Sequence, residues 1–422
     1  MFALVDCNSF FCSVEKVFHP GLNGKPVCVL SNNDGCIVAL TQEAKVLGLH
    51  RGDPIFKVRD IVEHNEVFVF STNMTLYAAM SKRVTNILRK SIAHVENYSI
   101  DESFCDLSGY DRYFDLEEFM RDIVCKIRTW TDIPVSVGIA PSKTLAKMGS
   151  KFAKKYAGYR SVCMIDNDEK RRKALSLFPL SDIWGVGRGT LSRLEYYGIH
   201  TPLEFADKKE SWVRSRFNIN GVRTWKELND IACIDTSEVI RKQTICTSRS
   251  FGNMVSDLQS LKEAVASFAS GCANKLRGQR SVAGCVSVFV SSNRFREDLS
   301  QYSNCQTGYF EVKTSDTLEV TNMALALLES MFISGIWYKR AGVIVGDIES
   351  DRCVCQSLFD GIRNRPQRHQ LMVTLDRLNQ RFGVKTVQLA IEGDDKSPWK
   401  VKCEHKSRNY MTDINELLTI QV

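Results

Sequence analysis

Three acidic residues beside apolar segments could bind divalent metal ions. Asp6 follows the apolar run 2–5, and Asp101-Glu102 interrupts the apolar segment 95–107. Because successive strand residues face opposite sides, Asp101 and Glu102 can share a site only near a turn or strand end. Three carboxylates at one sheet edge suit Mg²⁺, and two such ions stabilise the attacking and leaving oxygens of a phosphoryl transfer. Each acid alone is equally well explained as part of an ordinary turn.

A row of basic residues follows a third apolar segment. Ser142 can cap a helix in which Leu145, Met148 and Phe152 form a buried stripe. Lysines recur on the other side of this helix, at positions 143, 147, 151, 154 and 155. A helix start with a lysine row can hold phosphates, although a solvated helix face explains the same pattern.

The positive charge of the chain is concentrated around this helix. Residues 143–173 hold ten Lys and Arg against three acidic residues, an excess equal to the net charge of +7 for the whole chain. Such a local excess indicates a polyanionic partner.

A glycine-containing turn, Gly185-Val186-Gly187-Arg188, separates two helical segments. The backbone N–H groups of such a turn can approach a phosphate oxygen, and Arg188 adds positive charge. The pattern is typical of a helix-hairpin-helix that binds DNA independently of sequence, and a plain helical corner is the alternative. Neither a Ser/His/Asp or Cys/His arrangement nor a GxxxxGK[ST] loop is recognisable in the sequence.

Alternating strands and helices must position these residues. Hydrophobic periodicity predicts an α/β or α+β arrangement for residues 1–165, then short helices over 174–232 and a linker over 236–244. A second helix–strand domain is predicted beyond the linker, with helices over 258–276 and 318–331. Its predicted strands cover 282–291, 309–312 and 340–345. After residue 346 the sequence is polar and is predicted to be irregular.

Composition narrows the class of protein. The chain has 422 residues, of which 44% are hydrophobic and 25% charged, so intrinsic disorder is excluded. Its 15 cysteines include no CxxC pair, which indicates a reduced, intracellular protein without a zinc site. No signal sequence and no apolar run of about 20 residues is evident, so we expect a cytoplasmic protein without a membrane segment.

Taken together, these segments resemble the Y-family translesion DNA polymerases. Three motifs carry the resemblance, in the same order as in that family: residues 5–15, 98–104 and 136–147. Finer features are similar to the UmuC branch, the catalytic subunits of bacterial DNA polymerase V: Asn8, residues 31–36, 248–252 and 338–343, and the ending Trp399…Tyr410-Met411-Thr412.

The resemblance implies an α+β multidomain right-hand polymerase. Residues 1–165 would form the palm with the fingers (about 20–75), and 166–235 a helical thumb containing the helix-hairpin-helix. Residues 243–345 would form an α/β little finger, and 346–422 a C-terminal partner-binding region.

The resemblance also implies roles for individual residues. Asp6, Asp101 and Glu102 would be the catalytic carboxylates that bind two Mg²⁺ ions, with the backbone carbonyl of Cys7 as a further ligand. The remaining implied contacts fall into two groups: Phe10, Phe11 as steric gate, Lys45, Tyr77 and Lys154 for the incoming dNTP, and Gly185, Gly187 and Arg188 for DNA. Gln42 departs from the family, which has Tyr there, so no role is assigned to it.

The implied activity is error-prone, template-directed synthesis past lesions in the SOS response, adding dNTPs to a primer 3′ end. The implied partners are primed template DNA, the cleaved UmuD dimer and RecA. Gln356, Leu358 and Phe359 lie in a segment similar to a sliding-clamp motif of the form Gln-Leu-x-Leu-Phe, from which the first two positions depart. Two other functions also use some of these features: a non-catalytic DNA-binding checkpoint factor and a palm-domain nucleotide cyclase.

Overall fold

The computed structural model describes residues 1–236, 241–352, 354–355, 357–358, 360–362, 364–393 and 397–417. The α-helices of this part of the chain are α1 (Phe10–Phe18), α2 (Gln42–Val46), α3 (Arg59–His64), α4 (Met74–Ser91), α5 (Leu116–Thr131), α6 (Lys143–Lys155), α7 (Asp168–Leu177), α8 (Arg188–Tyr196), α9 (Pro202–Ala206), α10 (Glu210–Arg216), α11 (Ile219–Leu228), α12 (Leu258–Gly278), α13 (Thr317–Met331) and α14 (Arg365–Phe382). The strands are β1 (Phe2–Cys7), β2 (Val27–Leu30), β3 (Ile37–Leu40), β4 (Phe68–Ser71), β5 (His94–Asn97), β6 (Glu102–Asp106), β7 (Val135–Ala140), β8 (Val162–Met164), β9 (Ile245–Val255), β10 (Ser281–Ser292), β11 (Ser303–Thr314) and β12 (Tyr338–Ser350).

The chain divides into two compact units. The first comprises Met1–Val239 and Glu404–Val422, and the second comprises Ile240–Cys403. The C-terminal end of the chain therefore belongs to the same unit as its N-terminal half. The predicted linker over 236–244 coincides with this division, although residues 237–240 lie outside the described part of the chain.

A five-stranded sheet organises the first unit, with strand order β5-β6-β1-β7-β8. The central strand β1 is antiparallel to both β6 and β7. Ala3, Val5 and Cys7 point into the core formed with α4 and α5, whereas Leu4 points into the core formed with α6. The alternation of a strand therefore buries both faces of β1, and its carboxyl end is left at the sheet edge.

Helix α6 packs unusually close to strand β7 because two glycines face each other. A Cβ on Gly149 would lie 3.0 Å from the Cα of Gly138 and 3.1 Å from the carbonyl oxygen of Cys163. The absence of side chains at this contact allows the helix backbone to lie directly on the strand. The distance between α6 and the sheet is thereby set by backbone contact.

The rest of the first unit consists of a small sheet and a group of short helices. Strand β2 lies between β3, to which it is antiparallel, and β4, to which it is parallel. Helices α7 to α11 pack on the same core as α6. Side-chain caps start several of these elements, including Thr201 of the capping box of α9 and Asn218 of α11.

The second unit is a four-stranded antiparallel sheet with helices packed on it. Its strand order is β11-β10-β12-β9, and α12 and α13 share one apolar core with the sheet. Helix α14 is held by ion pairs: Arg277 contacts Asp376 at 2.6 Å, and Arg368 contacts Asp316 at 2.9 Å. None of the helices that the structure describes combines the length and the apolar character needed to cross a membrane.

The α+β prediction is confirmed, and most predicted elements lie within a few residues of the observed ones. The prediction of irregular structure after residue 346 is wrong for α14. The segment holds a helical repeat, Leu371, Leu375, Leu378 and Phe382, among many polar residues. These side chains are exposed or only partly buried, and Met372 is the only buried residue of α14 among those described. Strand β11 extends well beyond the predicted 309–312, because most of its residues are only partly buried or exposed and give no apolar run.

Candidate active site

Three acidic residues lie at one edge of the five-stranded sheet. Asp6 near the end of β1 lies directly opposite Glu102, the first residue of β6. The backbone N–H of Cys7 donates to the carbonyl oxygen of Asp101 at 2.9 Å. Asp101 therefore lies in the turn just before β6, where two successive acids can approach one site.

The turn that presents these acids is organised by Ser99. Its hydroxyl accepts the backbone N–H groups of Asp101 (3.3 Å) and Glu102 (3.1 Å) and donates to the Asp101 carboxylate. This is the local side-chain-to-backbone bonding that serine offers in turns. These three hydrogen bonds give the turn a defined shape.

Two lysines of α6 reach these carboxylates. The Nζ of Lys154 lies 3.0 Å from the Oδ1 of Asp6, and the Nζ of Lys147 lies 3.0 Å from the Oε2 of Glu102. Burial raises the pKa of both carboxyls, and the neighbouring ammonium groups lower it in part. The site thus holds partly desolvated carboxylates that require positive partners.

The cation of Lys147 also lies on two aromatic rings. Its Nζ is 4.5 Å from the ring centre of Tyr98 and 5.3 Å from that of Trp184. The indole N–H of Trp184 donates to the Tyr98 hydroxyl at 3.1 Å. These contacts fix the position of Lys147 beside Glu102.

The donor set fits a hard divalent cation in its chemistry. Asp6, Asp101 and Glu102 offer only oxygen atoms, which Mg²⁺ prefers. Within the described residues, no three acidic, histidine or cysteine side chains are spaced closely enough to hold a metal ion. The ammonium groups of Lys147 and Lys154 balance the charge of Glu102 and Asp6, respectively.

An aromatic pair lies at the start of α1. Phe10 is buried and Phe11 is half-buried, and the ring of Phe11 stacks on Tyr77 of α4 at 4.5 Å with an interplanar angle of 16°. The Tyr77 hydroxyl donates to the Oε1 of Glu15 at 2.6 Å. Tyr77 is fully buried. The structure therefore places Tyr77 between Phe11 and Glu15, and its hydroxyl is hydrogen-bonded to Glu15.

Glu15 is a fully buried acid that the sequence did not single out. Its Oε1 also accepts the hydroxyl of Ser407 at 2.9 Å, and its Oε2 is buried with no partner among the described residues. Burial raises the pKa of this carboxyl, and the two hydroxyl donors lower it in part. A polar residue within the apolar pattern of α1 was the signal that could have drawn attention to it.

The predicted phosphate-contacting residues lie on exposed turns and helices. Lys45 is exposed on α2, and Arg188 is exposed as the first residue of α8. Gly185 has a φ of 96°, and a Cβ there would lie 2.4 Å from the Oγ1 of Thr224, so glycine is required for this turn. Gly187 is the residue before α8 and has open space around it.

Most of the basic block is paired with acids. Seven of the ten basic residues in 143–173 form ion pairs: Lys143, Lys147, Lys151, Lys154, Lys170, Arg171 and Arg172. Lys143 is buried and contacts Glu96 at 2.6 Å, so neither a phosphate-binding row nor its alternative, a solvated face, describes Lys143. The local charge excess thus overstates the free positive charge.

In the clamp-like segment, Gln356 and Phe359 lie outside the described residues. Leu358 is fully exposed. The clamp assignment therefore stays a prediction.

Family models match both units of the chain. The impB/mucB/samB family model matches residues 5–151, and the C-terminal domain model of the same family matches residues 242–358. A domain of unknown function, DUF4113, matches residues 369–420. The first match includes the predicted carboxylates, the aromatic pair and Lys147.

Full-length relatives and solved structures agree with these matches. Protein UmuC of Salmonella typhimurium is 39% identical over 423 residues, covering 100% of both chains. DNA polymerase IV 1 of Bacillus subtilis is 25% identical, covering 91% of each chain. A Y-family DNA polymerase chimera built on Dbh has the same fold, with a TM-score of 0.64 and 22% identity over 83% of this chain and 100% of that chain. The chain is therefore a member of the impB/mucB/samB family, in the UmuC branch of the Y-family DNA polymerases.

Proposed function

We propose that this Y-family translesion DNA polymerase extends primers at the sheet edge formed by β1 and β6. Asp6, Asp101 and Glu102 would bind two Mg²⁺ ions there, with the backbone carbonyl of Cys7 as a further ligand. The observation that carries the proposal is the register of β1 with β6, which places Asp6 opposite Glu102 and next to the turn holding Asp101. The Asp6 and Glu102 carboxylates are partly desolvated and paired with ammonium groups, so the edge attracts cations.

The chemistry of this site is phosphoryl transfer from a dNTP to a primer 3′-hydroxyl. When bound, the two Mg²⁺ ions would supply charge stabilisation to the attacking and leaving oxygens. Lys154 is half-exposed beside Asp6, so its ammonium group can turn from the carboxylate to an oxygen of the triphosphate. Lys147 is enclosed by Tyr98 and Trp184 and would hold the Glu102 carboxylate in place.

The incoming nucleotide would lie against the aromatic pair of α1. Phe11 would present its ring to the sugar and obstruct a 2′-hydroxyl, and Phe10 would help to form the pocket. Lys45 and Lys154 would contact the triphosphate. Tyr77 is assigned to the same group, although its buried hydroxyl bonded to Glu15 is better suited to support Phe11.

Outer regions of the chain would bind DNA and partners. We assign primed template DNA to the turn of Gly185, Gly187 and Arg188, within a thumb over 166–235 between the palm (1–165) and the little finger (243–345). The C-terminal region 346–422 would contact the cleaved UmuD dimer, RecA and, through Gln356, Leu358 and Phe359, the sliding clamp. This organisation suits error-prone lesion bypass in the cytoplasm during the SOS response.

A primer-extension assay with the purified full-length chain tests the proposal. Asp101→Ala removes one ligand carboxylate, so we expect the extension rate to fall about 10²–10³-fold or more while affinity for primed DNA is unchanged. Asp111→Ala, an exposed acid on the same unit, is the matched control and should extend normally. Normal extension by Asp101→Ala would exclude this site as the catalytic centre.

A further inference from the structure

Residues 404–411, here called the C-terminal strap, lie along the edge of the small sheet of the first unit. The backbone N–H of Ser71, at the end of β4, donates to the carbonyl oxygen of His405 at 2.9 Å. The N–H of His405 donates to the Ser71 hydroxyl at 2.9 Å, and Ser71 forms a parallel bridge with Lys406. A single bridge therefore joins the strap to the end of β4, an edge strand of the small sheet.

Contacts at Ser407 and at Tyr410 hold the strap in place. The amide of Asn73 donates to the carbonyl oxygen of Ser407 at 3.0 Å, and Asn73 is itself fully buried. The ring of Tyr410 stacks on Phe18 of α1 at 4.7 Å, and its hydroxyl lies 3.2 Å from the Nε2 of His19. Ser407 is thus fixed between two anchors, beside α1.

The hydroxyl of Ser407 is one of two donors to a buried carboxyl group. It donates to the Oε1 of Glu15 at 2.9 Å, and Tyr77 donates to the same oxygen at 2.6 Å. Glu15 has no solvent exposure, and its second oxygen has no partner in the described structure. A buried carboxyl group with so few donors depends strongly on each of them, because losing one leaves a buried oxygen with fewer hydrogen bonds.

Glu15 and the strap act on the same tyrosine that supports Phe11. Phe11 and Glu15 are four residues apart on α1, so they share one face of the helix. Tyr77 spans that face, with its ring stacked on Phe11 and its hydroxyl on Glu15. A change in the Glu15 hydrogen bonds therefore changes the support of the Phe11 ring.

We propose that Ser407 is a positioning residue for sugar discrimination. Its hydroxyl, acting through Glu15 and Tyr77, holds the ring of Phe11 at a fixed depth beneath the sugar of the incoming nucleotide. The inference rests on the proposed function, in which Phe11 obstructs a 2′-hydroxyl. When the Phe11 ring is held less firmly, the 2′-hydroxyl of a ribonucleotide can displace it. A deoxyribonucleotide binds without displacing the ring.

The test is the ratio of kcat/KM for a dNTP to that for the matching rNTP, measured with the full-length chain on primed DNA. Ser407→Ala should lower this ratio about three- to tenfold, since one hydrogen bond to the Glu15 carboxyl group is lost while the ring stacking stays. The change should lie mainly in a lower KM for the rNTP. Ser407→Thr keeps the hydroxyl and should restore the ratio, and Ser176→Ala, on exposed α7, is the control and should leave it unchanged.

Two results with Ser407→Ala would overturn the inference. One is an unchanged ratio in a folded variant. The other is an equal loss of kcat/KM for both nucleotides, which would mean that the strap only stabilises the fold.

Tyr77→Phe gives an independent measurement, and it decides if Ser407→Ala does not fold. This variant keeps the stacked ring and removes the bond to Glu15, so we expect a lower ratio and little further effect of Ser407→Ala in the double variant. An equal rise in KM for both nucleotides with an unchanged ratio would instead assign Tyr77 to the triphosphate and overturn the inference.

Phe11→Ala separates this inference from the function on which it rests. If Phe11→Ala leaves sugar selectivity unchanged, the proposed role of Phe11 fails and the inference fails with it. If Phe11→Ala lowers selectivity and Ser407→Ala does not, only the positioning role of Ser407 is overturned.

Discussion

Replacing Gly138 by alanine should disturb both the fold and the active site. A Cβ at this position would lie 2.0 Å from the carbonyl oxygen of Ala146 and 2.2 Å from the backbone nitrogen of Ser150. Both atoms belong to the backbone of α6, so no side-chain rotation can relieve the clash. Ordinary contact distances of about 3.5 Å would require the helix to move away from β7 by more than about 1 Å.

This movement should lower both the free energy of unfolding and the rate of catalysis. Overpacking of a close-packed core costs about 1–3 kcal/mol of unfolding free energy, and contact with backbone places this variant at the upper end. Lys147 lies between the two contacted residues, and Lys154 one turn further on, so both would move away from Glu102 and Asp6. A misplacement of about 1 Å in a catalytic arrangement can cost about 10²-fold in rate.

Urea unfolding and primer extension measure the two effects on the same preparation. Gly138→Ala should have a lower unfolding midpoint and an extension rate reduced about 10²-fold. Gly158→Ala is the matched control, because a Cβ there meets nothing within 4 Å and its backbone does not have a positive φ. If Gly138→Ala unfolds at the wild-type midpoint and extends primers at the wild-type rate, the glycine contact does not set the position of α6.

Two further predictions concern the buried carboxylates. Lys147→Met keeps an aliphatic side chain between Tyr98 and Trp184 but leaves Glu102 without its ammonium partner. We therefore expect its melting temperature without metal to fall and its stabilisation by added Mg²⁺ to exceed that of wild type. Lys155→Met is the exposed control, and equal Mg²⁺ stabilisation of wild type and both variants would contradict the reasoning. Burial raises the pKa of Glu15 in the folded chain above its ordinary value of 4.5. Just above pH 4.5 the folded chain therefore binds more protons than the unfolded chain. The contribution of Glu15 to stability consequently falls as pH rises through its folded pKa. The stability of Glu15→Gln relative to wild type should therefore increase over that interval in unfolding curves measured at a series of pH values, and a pH-independent difference would disprove this account.

Local patterns predicted the elements that carry the site. The placement of Asp101 and Glu102 at a turn followed from the alternation of strand residues, and β6 begins at Glu102. The cap at Ser142 followed from its position before an apolar stripe, and its side chain accepts the N–H of Leu145. Both features depend on neighbours within a few residues, so the sequence contains the information directly.

The charge pattern of α6 predicted its surroundings incompletely, because a sequence pattern does not show which residues pack against the helix. The lysine row of α6 indicated a solvated or phosphate-binding face, but the folded chain places Glu96, Glu102, Asp6 and Asp182 against it. These acids come from distant parts of the chain. Whether a lysine is free, buried or paired depends on which elements pack against its helix.

The sequence by itself determined the order of the elements, and it predicted the carboxylates and the aromatic pair of α1 as site residues. Only the tertiary structure decided that Lys147 holds Glu102 and that Ser407 reaches Glu15, which is 392 residues away along the chain. The physical reason is that periodicity records which face of an element is buried but not which group will be buried against it. A hydrogen bond to a buried carboxylate stabilises the protein only after the rest of the chain has removed both groups from water.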